Sequence, residues 1–383
     1  MLHASKLNEA KQAAGRPLDV TSAAELVRAA KAWNRAPVLG VDTEFIRERT
    51  YFAQLGLIQV SDGQSVWLID PLACDQLEPF VAMLDNPAIT KVLHAPSEDL
   101  ELMQNLFSTV PQPMFDTQLA TTAVGQPLQM SYSRVVDWLL GEELDSSSTR
   151  SNWLRRPLSE AQRHYAALDV AYLPLMHEML EYKLESSGRK DWHTEDCQRM
   201  CDEARALPDP QFMHLRLREA SRLDQEQVNV LQLLSGWREL RARAINRPRK
   251  YVLTDRNLIE IARSMPAHRS QLRDCTELNN RLLERQGAAL LQMVNDGRNA
   301  TSDAPLLPKP LNTRERKVCS KLQQIVSARA ESMGVESTWL TTRKNLELLI
   351  RGEGDFSGSE KLNGWRKTVI ADELASYLKG NNS

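Results

Sequence analysis

Long apolar runs are missing from this sequence of 383 residues: none approaches the roughly 18–20 residues that a bilayer-crossing helix requires. The N-terminus, MLHASKLNEAKQAAGRPLDV, lacks the continuous apolar core of a secretory signal, so neither membrane insertion nor export is expected. Cysteine is scarce. Cys74, Cys197, Cys201, Cys275 and Cys319 are odd in number and form no paired framework, which reads as reduced thiols in a cytoplasmic protein. There is no GxxxxGK[ST] loop and no polymerase region, so a helicase or polymerase fusion is not expected. What is present, 42% hydrophobic and 26% charged residues, is the balance of an ordinary globular protein and excludes a disordered chain. The length suggests two or three domains, and nothing implies an obligate protein partner, so a monomer is expected.

The formal net charge of −2 conceals an asymmetry. Residues 1–205 hold 19 Lys+Arg against 29 Asp+Glu, and the remainder holds 29 against 21. An acidic chemistry domain joined to a basic region that meets a polyanion would produce this split. Uneven surface charge with no partner would produce it as well.

The first half alternates strand-like and helix-like segments. Ser22 with Glu25 three residues on forms a capping box that opens a helix to Trp33. APVLGVDTEF (36–45), AQLGLIQVSD (53–62), SVWLID (65–70) and ITKVLHA (89–95) read as strands. Helices are expected over 76–85, from Ser97, and over 116–124, 131–140 and 159–184, the last from the cap Ser159-x-x-Gln162. The pattern predicts a mixed α/β sheet flanked by helices. After Arg189 the strand signal fades: 192–205 and 211–293 read as helical, 295–312 as a Pro- and Gly-rich linker, and 313–380 as helical again. Ala242-Arg243-Ala244 recurs as Ala328-Arg329-Ala330, and Leu253-Thr254-Asp255-Arg256 as Leu340-Thr341-Thr342-Arg343. Agreement in the same order at nearly one offset predicts two copies of a small helical module.

The chemistry begins at Val41-Asp42-Thr43-Glu44-Phe45. Residues two apart on a strand share a face, so Asp42 and Glu44 project together. Such a pair is unfavourable unless the strand ends in solvent or a cation neutralises it. Asp99 opens a helix in HAPSEDLELM, where an acid also simply complements the helix dipole. Tyr165 and Asp169, four apart, share a helical face. Each alone is ordinary; the set is what carries weight.

VDTEF, HAPSEDLELM and HYAALDVAYLPL resemble the three exonuclease motifs of the DEDD nucleases, in the subclass with a tyrosine in the third motif. The likeness extends through YFAQLGLIQVSD, MFDTQLA and SNWLRRPLSEAQRHYAALDV, covers residues 18–190, and is specifically similar to the ribonuclease D family. GWRELRARAINRPRKYVLTDRNLIEIA (236–262) resembles the HRDC nucleic-acid-binding module, with the repeat at 313–380 a more divergent copy. The resemblance implies a ribonuclease H-like α/β exonuclease domain at 18–192, an all-α HRDC domain at 211–294, the linker 295–312 and a second HRDC-like domain at 313–380. It implies a 3′→5′ exoribonuclease that releases nucleoside 5′-monophosphates and trims tRNA precursors and small RNAs with accessible 3′ ends. Asp42, Glu44, Asp99 and Asp169 would hold two Mg²⁺ or Mn²⁺ ions, and Tyr165 would orient the attacking water. The alternatives are a DNA 3′→5′ exonuclease and a non-catalytic RNA-binding protein.

RARAINRPRK (241–250) holds five basic side chains and no acid, so Arg241, Arg243, Arg247, Arg249 and Lys250 are expected to meet phosphate. Tyr251 either stacks on a base or joins the core. Trp153, Arg155 and Arg156 are expected to touch the RNA backbone from a polar loop. His94 is read as a strand-end histidine held by backbone contacts, Asp116 as a helix cap, and His193, Cys197 and Cys201 as a weak zinc pattern.

Overall fold

The computed structural model describes residues 2–144, 151–275, 278, 280–301, 303–352 and 362–381. Residues 353–361 of the expected second module lie outside that set. The chain divides into two compact units: residues 1–46, 55–205 and 311–383 in the first, 47–54 and 206–310 in the second.

The first unit is built on a six-stranded sheet: β1 (Leu18–Val20), β2 (Val38–Ile46), β3 (Gln54–Ser61), β4 (Val66–Ile69), β5 (Thr90–Leu93) and β6 (Met114–Asp116). Its order is β1-β4-β3-β2-β5-β6. β3 and β4 are antiparallel, and β1/β4, β2/β5 and β5/β6 are parallel. Alternation along the strands fills two cores: Leu57, Val66 and Leu68 point to one, Ile58, Val60, Trp67 and Ile69 to the other. Helices α1 (Leu2–Ala14), α2 (Ala23–Trp33), α3 (Glu78–Asp85), α4 (Ser97–Phe107), α5 (Thr117–Ala123), α6 (Tyr132–Leu140), α7 (Glu160–Ala171), α8 (Leu173–Ser186) and α9 (Lys190–Arg205) surround it.

The mixed sheet agrees with the expectation, with local departures. α1, β1 and β6 carry signals too short or too polar to stand out. The segment read as one helix from 159 is two, because Pro174 lacks the N–H that would continue the ladder and Tyr172 ends α7. The predicted capping box at Ser159 is present, with Gln162 returning to the Ser159 backbone N–H.

In the second unit, 3-10 turns at Pro210–Arg216 and Arg218–Arg222 precede α10 (Gln225–Ala244), α11 (Arg249–Val252), α12 (Asp255–Ser264), α13 (Arg269–Asp274) and α14 (Asn280–Arg298). Gly297 lets α14 meet α10 closely, since a Cβ there would stand 2.6 Å from Val230 Cγ2. α14 runs through Arg298, four residues into the stretch read as linker. Farther along, Ala304 N donates to Asn229 Oδ1 at 2.8 Å.

The remaining helices, α15 (Thr313–Met333), α16 (Ser337–Leu340), α17 (Arg343–Arg351) and α18 (Asp372–Asn381), belong to the first unit and share the core of α7 and α8. Arg366 fixes them. Its guanidinium grips Asp196 of α9 at 2.6 and 2.9 Å and lies 4.1 Å from the Trp365 ring, and the Trp365 indole N–H also donates to Asp196. No described helix is long and apolar enough to cross a membrane.

Candidate active site

The site forms where helix meets strand without an intervening side chain. Gly40 of β2 faces the α7–α8 junction, where a Cβ would stand 2.7 Å from the Val170 carbonyl and 2.8 Å from Leu173 Cβ. This close approach brings Asp169 over Asp42 and Glu44, which leave β2 on one face as their spacing requires. Ligand oxygens of Asp42, Glu44 and Asp169 all lie within 4.8 Å of one another.

Asp99 stands outside that trio, in the first turn of α4. The Thr43 hydroxyl, between the two β2 acids, donates to its carboxylate. A braced loop sets the start of α4. His94 Nδ1 is 2.8 Å from Thr117 Oγ1 and its Nε2 is 3.0 Å from the Met130 carbonyl. Ala95 takes a left-handed φ of 54°, and its N–H donates to Asp116 Oδ1 at 3.0 Å. That oxygen also accepts from Gln118 N at 2.8 Å, so Asp116 caps α5 as expected, and His94 is held as read. His193 Nε2 lies 3.0 Å from the Asp116 carbonyl and 3.3 Å from Cys197 Sγ.

Burial first, then Asp99, Asp169 and Glu44, push the Asp42 carboxyl well above its ordinary range. Burial followed by Asp169 and Asp99 takes Glu44 up to about 9. Burial raises Asp99 to about 6 against the Thr43 hydrogen bond, and Asp169 to about 7 against that of Tyr165. Tyr165 is also shifted upward, by burial and then by the Asp169 charge. No Lys or Arg is among the groups setting these shifts. Carboxylate oxygens that raise one another's pKa form the donor set that hard divalent ions prefer. The residues therefore fit such ions.

Some supporting residues escaped the sequence reading. Thr43 holds Asp99, and Gly40 admits Asp169. The Tyr132 hydroxyl donates to the Leu168 carbonyl at 2.8 Å, one residue before Asp169, while its ring meets His94 edge-on at 5.6 Å. Only their nearness to the acids could have signalled them.

Several expected RNA contacts have other work. Trp153 is buried: its carbonyl and Cβ would meet a Cβ at Gly56, and its ring lies 6.2 Å from that of Tyr165. Arg156 places Nε and Nη2 on Asp70 at 2.5 and 2.7 Å, and donates to the carbonyls of Gly56 and Trp153. Its guanidinium is committed to holding this loop. In the second unit, Arg243 and Arg249 both bind Glu239. Arg155, Arg241, Arg247 and Lys250 are exposed, as is Tyr251, which therefore is not core.

Comparison with known proteins bears on this geometry. Residues 18–185 match the 3′-5′ exonuclease family model, and residues 227–294 match the HRDC domain. Fold and site thus define a 3′→5′ exonuclease domain joined to an HRDC domain. The chain is 35% identical to ribonuclease D of Pseudomonas paraeruginosa, over 93% of this chain and 96% of that protein. It is 33% identical to ribonuclease D of Escherichia coli, again over 93% and 96%. The crystal structure of Escherichia coli RNase D, described as an exoribonuclease involved in structured RNA processing, superposes with a TM-score of 0.87 at 31% identity, covering 95% of this chain and 99% of that one. The chain belongs to the ribonuclease D family of metal-dependent 3′→5′ exoribonucleases.

Proposed function

We propose that this exoribonuclease shortens tRNA precursors and other small RNAs from accessible 3′ ends, releasing nucleoside 5′-monophosphates one at a time. The observation that carries this reading is the convergence of Asp42, Glu44 and Asp169 within 4.8 Å, with no cationic side chain setting their shifts. Structured RNA as the substrate class is supported by the described role of the Escherichia coli relative.

Asp42, Glu44, Asp99 and Asp169 would hold two divalent ions, Mg²⁺ or Mn²⁺. Such ions supply a bound water of lowered pKa and charge stabilisation at the leaving 3′-oxygen. Asp42 and Glu44 offer oxygens from one strand face, and Asp169 closes the set from above. The Thr43 hydrogen bond to Asp99 supports Asp99 as the remaining ligand. Tyr165 shares a helical face with Asp169, whose charge helps raise the Tyr165 hydroxyl, an arrangement suited to orienting the attacking water rather than taking its proton.

Arg155, Arg241, Arg247 and Lys250 are the basic side chains we assign to the RNA backbone, where phosphate contact positions a strand without reading its sequence. A repeated helical module, over 211–294 and again over 313–380, is supported by a structural echo. Helices of 20, 4 and 10 residues (α10–α12) are followed by helices of 21, 4 and 9 (α15–α17), with Thr254 and Thr342 at matching N-caps. Five free thiols support a protein working in the reducing cytoplasm.

The test is a competition between a 5′-labelled tRNA precursor with a 3′ extension and DNA of the same sequence, with metal stoichiometry from titration calorimetry. Trimming of the RNA and two ions per chain are expected. Preferential shortening of the DNA would support the DNA exonuclease instead.

A further inference from the structure

Between the strand that carries Asp42 and Glu44 and its neighbour β3, the chain enters the second unit. Residues 47–54 belong there, and the helices of that unit hold them at three places. The first is Tyr51, a buried ring packed against Ala242 and Val252 with Phe52 and Trp237 around it. Its hydroxyl donates to Glu239 and accepts from Arg243 Nε at 3.3 Å and Arg249 Nη2 at 3.0 Å. The two guanidinium carbons lie 5.9 and 5.0 Å from the ring centre. The second is backbone: Asn246, left-handed at φ 47° just past α10, accepts from Tyr51 N at 3.0 Å and Phe52 N at 3.1 Å through Oδ1. Asparagine is one of the few residues with a side chain that adopt this conformation readily. The third is Arg247 Nη1, which donates to the Arg49 carbonyl at 3.2 Å.

A strand connection needs none of this, since short loops close on their own. Glu239 has no exposed surface on its side chain, and it would be strongly unfavourable there without both arginines. The arrangement locates the Tyr51 hydroxyl in direction as well as distance, which apolar packing alone would not do. The covalent path from Glu44 to Tyr51 is short, and a metal-dependent site requires its carboxylates held to within about half an ångström.

We propose that Tyr51 is a positioning residue for the exonuclease reaction: the helical unit grips the arm through Tyr51 and so fixes the exit end of the strand bearing Asp42 and Glu44. The unit that resembles a nucleic-acid-binding module thus acts on turnover, not only on affinity. This rests on the exoribonuclease reading of the site.

The experiment uses the full chain with a short single-stranded oligoribonucleotide and excess Mg²⁺, comparing the wild type with Tyr51→Ala, Tyr51→Phe and Asn246→Ala. Thermal melts establish that each is folded. Tyr51→Ala is expected to lower the rate at saturating RNA about tenfold, with KM within about twofold. Tyr51→Phe keeps the ring and loses the hydroxyl, and is expected to lower the rate about three- to fivefold. If Tyr51→Ala does not fold, the phenylalanine variant decides. An unchanged rate at saturating RNA, or a loss confined to KM, would overturn the proposal. A wild type that released no mononucleotides would contradict the exoribonuclease reading instead, which is a separate result.

Discussion

Glu44 in the first unit is half-buried and Glu239 in the second is buried, and burial opposes ionisation of each. At Glu239 that penalty is outweighed by Arg249, Tyr51 and Arg243, which hold the carboxyl down to about 2. At Glu44 burial is joined by Asp169 and Asp99, and the carboxyl rises to about 9. One cluster is completed by residues of the same chain. The other is flanked, among the groups that set its shifts, by carboxylates alone, the electrostatics that divalent ions would relieve.

Removing an acid from each cluster should have opposite consequences for chemistry and stability. Asp42→Ala or Asp169→Ala should reduce kcat on the order of 10⁴-fold while RNA binding in a gel-shift assay persists. Mg²⁺ should raise the melting temperature of the wild type more than that of either variant. Retained activity in either would remove that residue from the ligand set. Glu239→Ala leaves two arginines without their shared partner, and denaturant unfolding should show a loss of about 2–3 kcal/mol.

A finer contrast lies between neighbours. Arg156→Ala should lower stability by about 1–3 kcal/mol, because Asp70 and two carbonyls lose their donor, whereas Arg155→Ala should leave the melt unchanged and weaken RNA binding. Replacing Arg241, Arg247 and Lys250 together should reduce the slope of log affinity against log salt by about 2, at roughly 0.7 per contact on a single strand. An unchanged slope would count against phosphate contact.

The smallest effect is in pH. Glu239 has a lowered carboxyl, so its stabilisation is fully present above its unfolded value near 4.5 and is lost as pH falls toward about 2. Unfolding measured at pH 5 and pH 3 should show a steeper acid loss in the wild type than in Glu239→Gln.

The acids were legible because their constraints are local. A two-residue strand spacing, a helix start and a four-residue helical spacing each place a carboxylate from neighbouring sequence alone. The cap at Asp116 and the box at Ser159 are read the same way. The commitments of Arg156 and Arg249 were not legible, because their partners stand 86 residues away for Arg156–Asp70 and on another helix for Arg249–Glu239. Arg243–Glu239, by contrast, is a four-residue helical pair that the count of basic residues passed over. A run such as RARAINRPRK states how much charge there is and not where each guanidinium turns. Gly40 and Thr43 were missed for the converse reason: their importance comes from what packs against them, Val170 and Leu173 in one case and Asp99 in the other.

The most direct test of the central claim is a time course on 5′-labelled RNA with a single-stranded 3′ tail, run with Mg²⁺, with Mn²⁺ and with EDTA, followed by chromatography of the products. Metal-dependent 3′→5′ exonuclease chemistry predicts a ladder shortening from the 3′ end, nucleoside 5′-monophosphates as products, and complete loss of cleavage in EDTA. Cleavage that persists in EDTA, or RNA bound by the folded protein and left intact with either metal, would contradict it.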